Sequence, residues 1–428
     1  MTPDSTYSNR RIFLKRAALA TASLLSSIKG ISGKKAPAIV LRSSWQTVNI
    51  GDIGHTPGVL SLLEKYLPDA SIRLWPSSVG NGVEELLKRR FPRVSIVQTP
   101  EEIAATLKEC DFLLHGSGPS LVARKDVERW HRETGKPFGI YGITFPGVYA
   151  PGPAASKVNP LDVELLNQAK FAFFRDSVSL GIAKEIGIKS PVMEFCPDGA
   201  FAVDFRDDQA ANAFLSKHGL EAGKFLCVIP RTRFTPYWEI PAKKTPFDAE
   251  RNAINEKMKE HDNAPLREAI IAVVRQTGLK ILIVPEDETQ VKLGKEILLD
   301  KLPEDVKKNV VWRDRYWLTD EALSTYLLSA GLFGLEMHSP IMCIGHGIPA
   351  IVCRFAEQTS KGMMWQDIGL GDWLFDVDKP EEVARIVPAV LAMAKDPKAA
   401  KAKALKGKRF VNQRQKETMA VLASVLTT

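Results

Sequence analysis

Short apolar runs alternate with longer amphipathic stretches along most of this chain. "PAIVLRSSW", "ASIRLWP", "RVSIV" and "DFLLHGSG" each predict a strand, and "GVLSLLEKYLP" and "NGVEELLKRRFP" between them predict helices. The rhythm continues through "KPFGIYGITF", "AKFAFFRDS" and "PVMEFCPDGAF", where it closes near residue 205. Alternating strands and helices are typical of a parallel sheet covered by helices, so we predict an α/β domain at residues 36–210.

A second series follows the polar, hydrophobically sparse segment 206–223. "FLCVIPR", "KILIVPED", "NVVWRD", "SAGLFGLE" and "PAIVCRF" predict strands, and "PLREAIIAVVRQTG" predicts a helix. We therefore predict two doubly wound, Rossmann-like domains that face a cleft, the second at residues 220–378. Residues 232–263 read as an insertion without periodicity, rich in charge and aromatics, and a loop of this length is usually functional or disordered. The Lys/Ala-rich tail at 379–428 predicts a solvated helix.

Length and charge narrow the class of protein. A chain of 428 residues with 45% apolar and 25% charged residues suits two soluble domains. The net charge of +8 comes from the two termini, and the remainder is mildly acidic. Nucleic-acid binding requires clustered basic charge on one face, so we expect no nucleic-acid partner. Five cysteines without C-x-x-C spacing argue against a zinc site or a disulfide scaffold and predict buried thiols; we predict no metal.

The N-terminal segment 1–35 contains "NRRIFLKRAALATASLLSSI", which resembles a twin-arginine export signal. Arg10 and Arg11 are followed by Phe13, Leu14 and Lys15, then by an apolar run too short to span a bilayer. This predicts an exported protein, periplasmic or membrane-associated, with the export machinery as a partner. A basic amphipathic helix is the alternative, and with a signal that does not function the protein would stay in the cytoplasm.

Ionisable groups and glycine turns follow nearly every predicted strand. Ligands of open α/β sheets bind outside the carboxyl ends of the strands, so these residues are the candidates for a site. Glycine turns let a backbone approach a ligand closely, and their N–H groups can hold a phosphate or carboxylate. Singly, each residue could equally be a turn or a structural ion pair. Together, the mixture of arginine, carboxylate and histidine suits an anionic donor and a polyhydroxylated acceptor.

The order of motifs resembles the polysaccharide pyruvyl transferase family from about residue 40 to 376. The matching pieces are "NIGD", "DFLLHG", "FRDSVSLGIAKEIGI", "CPDGAF", "CVIPRTRF", "LIVPEDE", "LEMHSPIMCIGHGIPAIV" and "SKGMMWQDIGLGDWLF". The resemblance implies a GT-B-like fold and transfer of a pyruvyl group from phosphoenolpyruvate to a sugar hydroxyl of a glycan. It implies no cofactor beyond that donor substrate.

The resemblance also implies roles for individual residues. His338 would be the general acid, since an imidazole titrates near neutrality, and Glu336 would lie beside it in the catalytic centre. The donor would be bound by Arg231, Lys361, Gly116, Ser117, Gly118 and Arg175. The acceptor would be bound by Asn49, Asp52, Asp198 and Glu286.

One position departs from the family pattern. Arg-Leu typically precedes the histidine, whereas this chain has Glu336-Met337, which reverses the charge beside an anionic donor. Two alternatives therefore remain open: an exported carbohydrate-active hydrolase in which Glu336 acts with His338, and a glycan-binding protein without catalysis. A saccharide or polysaccharide is the ligand in every case, and the sequence does not indicate an oligomeric state.

Overall fold

The computed structural model describes residues 36–43, 47–146 and 158–427, so the twin-arginine-type segment 1–35 lies outside the described residues. Its first sheet has seven parallel strands in the order β3-β2-β1-β4-β5-β6-β7. The strands are β1 (Ala38–Ser43), β2 (Ser71–Pro76), β3 (Ser95–Ile96), β4 (Phe112–His115), β5 (Phe138–Ile143), β6 (Ala172–Phe174) and β7 (Met193–Phe195). The helices are α1 (Ile50–Tyr66), α2 (Val83–Arg90), α3 (Pro100–Glu109), α4 (Arg124–Thr134), α5 (Pro160–Gln168) and α6 (Ser177–Glu185).

Both faces of this sheet are covered, as a parallel sheet requires. In β1, Ile39 and Leu41 pack into one hydrophobic cluster, whereas Val40 packs into a second cluster on the other face. After β7 the chain forms a short 3-10 helix, Gly199–Ala202, and then α7 (Asp208–Lys217), which lies within the polar segment 206–223 between the two predicted domains.

The second sheet has six parallel strands in the order β10-β9-β8-β11-β12-β13. The strands are β8 (Phe225–Ile229), β9 (Lys280–Ile283), β10 (Val310–Trp312), β11 (Gly331–Gly334), β12 (Ala350–Arg354) and β13 (Leu374–Asp376). Its helices are α8 (Ala249–Thr277), α9 (Thr289–Leu293), α10 (Glu304–Lys307), α11 (Thr319–Leu328), α12 (His338–His346) and α13 (Met364–Asp367), followed by α14 (Pro380–Lys395) and α15 (Pro397–Thr427). The two Rossmann-like sheets confirm the predicted fold class.

The stretch 232–263 is not the aperiodic loop that the sequence suggested. Helix α8 begins at Ala249, well before the predicted start at Pro265, and Pro265 lies inside it. The buried residues in the first half of this helix include Asn255, Asp262 and Asn263. Because its buried face is polar there, the sequence shows no helical repeat of apolar residues.

The C-terminal tail is also less solvated than expected. Helix α15 buries Val411, Thr418, Met419 and Leu422. Arg414 on the same helix is buried and bonds to the carbonyl of Phe195 in the first domain. The tail therefore packs across both domains. Its many lysines and alanines make the buried face of the helix hard to recognise in the sequence.

The domains meet closely along α1. A Cβ at Gly51 would lie 2.1 Å from Cβ of His338 in the second domain, and within the first domain a Cβ at Gly58 would lie 1.9 Å from the carbonyl oxygen of Gly199. A backbone hydrogen bond of 2.9 Å from Ile50 to Glu286 joins the start of α1 to the second domain. All five cysteines are buried and free, as predicted. In the described ranges, no helix has the length and apolar character needed to cross a membrane.

Candidate functional site

Side chains from both domains converge where the two sets of strands end. Arg231 follows β8, Glu286 follows β9, and Glu336 follows β11. His338 is the first residue of α12, and α1 places Asp52 and His55 opposite it. The site therefore lies at the carboxyl ends of the strands, as expected for this type of fold.

His338 is held between a carboxylate and an ammonium group. Its Nδ1 lies 3.1 Å from Oε1 of Glu286, and its Nε2 lies 3.3 Å from Nζ of Lys361. The other oxygen of Glu286 accepts hydrogen bonds of 2.7 Å from both N and Oγ of Ser339, at the N-terminus of α12. Because a carboxylate accepts at Nδ1, that nitrogen carries the ring proton, and Nε2 accepts from Lys361.

The environment changes how both groups titrate. Burial, and then the charge of Lys361, lowers the pKa of His338 well below its usual value, contrary to the expectation of an imidazole poised near neutrality. Burial and nearby Arg175 lower the pKa of Lys361 to about 8. At neutral pH the proton of this pair therefore resides on Lys361, one hydrogen bond away from Nε2.

Gly51 is required for this placement of His338. A Cβ at Gly51 would lie 2.1 Å from Cβ of His338 and 2.4 Å from its Nδ1. The "NIGD" sequence therefore brings the backbone of α1 directly against the imidazole. Asn49 caps the same helix, because its Oδ1 accepts from the N–H groups of Gly51 and Asp52 at 2.8 and 3.0 Å. Asn49 thus positions α1, and its amide oxygen is not presented to an acceptor sugar as the sequence predicted.

His55 is a site residue that sequence reasoning missed. Its Nδ1 lies 2.7 Å from Oδ1 of Asp198, and its Nε2 is buried without a hydrogen-bond partner in the part of the chain that the structure describes. The ring is 4.7 Å from that of His338, in an edge-to-face arrangement. The available signal was helical spacing, because His55 lies four residues after Gly51 and three after Asp52, on one face of α1.

Asp198 and Arg175 support His55 and do not line an open donor or acceptor site. Both are buried, and Nη1 of Arg175 donates to Oδ2 of Asp198 at 2.8 Å while its Nε donates to Thr144 at 2.6 Å. Burial raises the pKa of Asp198, but the attraction of His55 and Arg175 outweighs it and holds that pKa well below its usual range. Asp198 is therefore an ionised partner that orients the imidazole of His55.

The Gly116–Gly118 turn does not form the expected phosphate cradle. The N–H of Gly116 donates to the carbonyl of Arg42 at 3.0 Å, and the N–H of Gly118 donates to the carbonyl of Gly142 at 3.3 Å. Ser117 is buried, and its Oγ lies 3.3 Å from Oδ1 of Asp198. These residues therefore belong to the support of Asp198, since two of their donors are already used.

Glu336 pairs with the arginine that was expected to bind the donor. Its Oε2 accepts from Nη1 of Arg231 at 2.6 Å, and its Oε1 accepts from Nε2 of Gln290 at 2.6 Å. Burial raises the pKa of Glu336 to about 7, against the opposing effect of Arg231. Burial and the nearby Glu336 likewise raise the pKa of Asp287 to about 7. Near neutral pH both carboxyl groups are therefore only partly ionised, and Glu336 only partly neutralises the charge on Arg231.

One group of side chains also has metal-binding geometry. Ligand atoms of Asp52, His55 and His338 all lie within 4.8 Å of one another. However, the ammonium of Lys361 already lies on Nε2 of His338, where a cation would have to bind. A metal ion bound through Nε2 of His338 would therefore have to displace the ammonium of Lys361.

Comparison with known proteins places this geometry in a wider context. A model of the polysaccharide pyruvyl transferase family matches residues 49–355, a range that includes Asn49, Arg231, Glu286 and His338. Lys361 lies just beyond the matched range. No curated protein matches the chain.

Solved structures show the fold. The chain is similar to Anabaena HepE in complex with UDP-glucose, with a TM-score of 0.56 and 10% identity over 91% of this chain and 99% of that one. It is similar to UDP-GlcNAc 2-epimerase from Neisseria meningitidis bound to UDP-GlcNAc, with a TM-score of 0.55 and 10% identity over 90% and 100% of the two chains. For Phytolacca americana UGT2, complexed with UDP-2fluoro-glucose and pterostilbene, the TM-score is 0.52 and the identity 13%, over 92% and 100%. These glycosyltransferase and epimerase structures confirm the GT-B-like fold, and at such identities the fold is all that they show.

Proposed function

The chain belongs to the polysaccharide pyruvyl transferase family, and from that membership we propose that it transfers the pyruvyl group of phosphoenolpyruvate to hydroxyls of a glycan. The observation that supports this most directly is a pair of adjacent imidazoles, each held by a carboxylate at Nδ1. His338 is held by Glu286 and His55 by Asp198, and the rings are 4.7 Å apart. Ketal formation needs one group that gives a proton and one that takes a proton, so two such imidazoles suit it.

In this proposal the proton moves from Lys361 through His338. The anionic donor favours the protonated form of His338, which then gives a proton from Nε2 to the methylene carbon of phosphoenolpyruvate. His55 takes a proton at Nε2 from an attacking sugar hydroxyl, since its Nδ1 is occupied by Asp198. Two sugar hydroxyls add to the central carbon, the bond from that carbon to the phosphate oxygen breaks, and inorganic phosphate leaves with the second hydroxyl proton.

Arg231 stays a cation that can bind the donor throughout, whereas Lys361 is a cation only until its proton passes to His338. Lys361 lies beside His338, and Arg231 lies at the end of β8, where Glu336 competes for it. Protonation of Glu336 removes that competition. The exchange of the family's usual arginine for Glu336 is therefore compatible with donor binding when the carboxyl is neutral.

The test is a phosphate-release assay with the purified full-length chain, phosphoenolpyruvate and a panel of oligosaccharides. We expect phosphate release that depends on the acceptor, together with a new ketal methyl signal on the glycan by NMR. His338→Ala and His55→Ala should each lower the rate by roughly a hundredfold or more. His131→Ala, on α4 outside the cleft, is the matched control and should retain activity. Glycan binding without phosphate release from any acceptor would contradict the proposal.

A hydrolase is the second candidate, because Glu336 and Asp287 have pKa values raised to about 7. Glycosidases use a buried carboxyl with a raised pKa as their general acid. Glu336→Gln separates the two candidates. The substitution should abolish a hydrolase that generates reducing ends, whereas it should strengthen phosphoenolpyruvate binding by a transferase because it removes a negative charge beside Arg231.

Location is a further part of the proposal. Residues 10–15, "RRIFLK", support export by the twin-arginine route, to the periplasm or the membrane surface. A fluorescent fusion should be exported, and changing Arg10 and Arg11 to Lys should retain it in the cytoplasm. Export of both forms, or of neither, would contradict this assignment.

A further inference from the structure

Residues 235–251 enclose an aromatic pocket of about 390 Å³ that the chemistry above does not use. Trp238 and Phe247 form two of its walls, with ring centroids 5.5 Å apart and planes at 78°. Phe247 is 64% exposed, although large apolar side chains are normally covered. Hydrogen-bonding side chains complete the lining: Thr235, Thr245, Asp248 and Arg251.

This pocket is firmly held at its base. Asn255 on α8 bonds to both backbone groups of Phe234, accepting from its N–H at 2.9 Å and donating to its carbonyl at 2.7 Å. Ile240, which lies between Trp238 and Phe247 in the sequence, is buried. Asp248 caps the start of α8. These anchors hold the backbone at Phe234, Ile240 and Asp248, on either side of the two aromatic residues.

The pocket lies beside the cleft that contains His338. Tyr237 lines the pocket and also lies near Arg231. Burial lowers the pKa of Arg231, but nearby acidic groups, including Tyr237, outweigh this effect and raise it. The ammonium of Lys243 lies over the ring of Tyr237 at 5.6 Å. Burial lowers the pKa of Lys243, while the charge of Asp52 in the cleft opposes this effect. Tyr237 and Lys243 therefore connect the aromatic walls to the groups around His338.

We propose that this pocket binds a sugar residue of the acceptor glycan, beyond the residue that reacts. The inference rests on the proposed function, since it places a saccharide in the neighbouring cleft. It adds a second subsite, carried by the insertion at 232–263, that would make the protein select a chain over a monosaccharide.

The geometry favours a sugar over a nucleotide base. A pyranose has an apolar face, which packs against an aromatic ring, and an equatorial rim of hydroxyls, which needs nearby donors and acceptors. The perpendicular rings of Trp238 and Phe247 provide a corner with polar groups at its edge. A planar base is bound most favourably by stacking on an aromatic face, and a perpendicular second ring would not extend such a stack.

The experiment measures binding of defined glycans to the full-length chain by isothermal titration calorimetry. The probes are mono-, di-, tetra- and hexasaccharides of glucose, galactose, mannose and N-acetylglucosamine, with UDP-glucose as a separate probe. Trp238→Ala and the exposed Phe247→Ala should each weaken binding of the longer oligosaccharides roughly tenfold, and Trp238→Phe should restore most of it. Phe410→Ala, which removes another exposed aromatic ring outside the pocket, is the matched control and should bind normally.

The outcomes separate this inference from the proposed function. Equal affinity of wild type and both pocket variants would overturn the inference, even if phosphate release from phosphoenolpyruvate is intact. Binding of UDP-glucose alone, lost in Trp238→Ala, would also overturn it. Pocket-dependent oligosaccharide binding without any phosphate release would support the pocket while contradicting the transferase.

Discussion

His338 lies directly over the backbone of Gly51, so the position of its imidazole, which we propose to be catalytic, depends on the absence of a side chain at Gly51. Gly51→Ala would place a Cβ at 2.1 Å from Cβ of His338, and the ring would have to move. A shift of about 1 Å in a catalytic group costs roughly a hundredfold in rate, and we expect a loss of that size.

Gly54 on the same helix is the matched control for this substitution. A Cβ there would meet Ala200 and Met342 at 3.7 Å, which is ordinary contact. Gly54→Ala should therefore retain activity, as measured by acceptor-dependent phosphate release. Equal rates for the two variants would show that the approach of Gly51 to His338 does not matter.

Titration of Glu336 and Lys361 predicts how donor binding depends on pH. Glu336, with a pKa raised to about 7, is neutral below that pH and competes for Arg231 above it. Lys361, with a pKa lowered to about 8, is a cation below that pH and loses its charge above it. Affinity for phosphoenolpyruvate should therefore fall in two steps as the pH rises, first near 7 and then near 8.

Glu336→Gln should remove the first step and leave the second. The amide introduced by this substitution has a single acceptor oxygen, so it can keep the hydrogen bond from Arg231 or the one from Gln290 but not both, and it carries no charge at any pH. Calorimetric affinities at about pH 6, 7.5 and 9 would resolve the two steps. A single fall, unchanged by the substitution, would rule out competition between Glu336 and the donor.

The sequence predicted the residues whose position follows from a strand end. His338, Glu286 and Lys361 do lie together, because parallel strands deliver their carboxyl ends to one edge of a sheet. Contrary to the prediction, however, Glu286 is buried against His338 and Ser339 and does not present its carboxylate to an acceptor sugar. Sequence could not distinguish an accessible group from a buried support, so Asp198 and Arg175 were assigned to ligands. His55 was missed because its role depends on α1 packing against a second domain, and residue order does not report that contact.

At the scale of elements, α8 organises the loop that carries Arg231. Oδ1 of Asn263 accepts from the N–H of Arg231 at 3.2 Å, and its Nδ2 donates to the carbonyl of the same residue at 3.0 Å. Asn255, nearer the start of the helix, does the same for Phe234. The two asparagines thus bond to the loop in the way that a neighbouring strand would.

Asn263→Ala should leave both backbone groups of Arg231 without these partners. We expect a loss of about 1–3 kcal/mol in the free energy of unfolding and a weaker affinity for the donor. Asn252→Ala, on the half-buried side of the same helix, should change neither quantity appreciably. Urea unfolding and donor titration check the two effects separately, and a stable variant with normal affinity would contradict the role of α8.

The same asparagines explain why this element was predicted incorrectly. A helix is recognised in sequence by an apolar period, and α8 replaces part of that period with Asn255, Asp262 and Asn263. Pro265 added a second false signal, because proline favours the first turn of a helix and suggested a start where the helix in fact continues. A strand composed only of apolar residues, such as β8, was recognised from its sequence without this difficulty.

At the scale of the whole molecule, α15 fastens the two domains together. Nη2 of Arg414 donates to the carbonyl of Phe195 at 2.7 Å and to Glu194 at 2.8 Å. Four residues further on, Thr418 lies 3.4 Å from the hydroxyl of Tyr141 on β5. The helix begins beside the second domain, where Leu405 lies against Gly347.

Arg414→Ala should destabilise the molecule by about 1–3 kcal/mol, because the carbonyl of Phe195 loses a buried partner. Arg409→Ala, an exposed position on the same helix, is the control and should change the free energy of unfolding by less than about 0.5 kcal/mol. Urea unfolding followed by circular dichroism measures both. Indistinguishable values would mean that α15 contributes little to holding the domains together.

The route of α15 also constrains the order in which the protein matures on the ribosome. Arg414 contacts a strand 220 positions earlier in the chain. The first domain is therefore synthesised long before the helix that bonds to it, and the carbonyl of Phe195 at the end of β7 lacks this partner while the second domain is translated. Incompletely packed intermediates are prone to aggregate, so the interval before residue 414 is translated is a vulnerable stage for this end of the sheet.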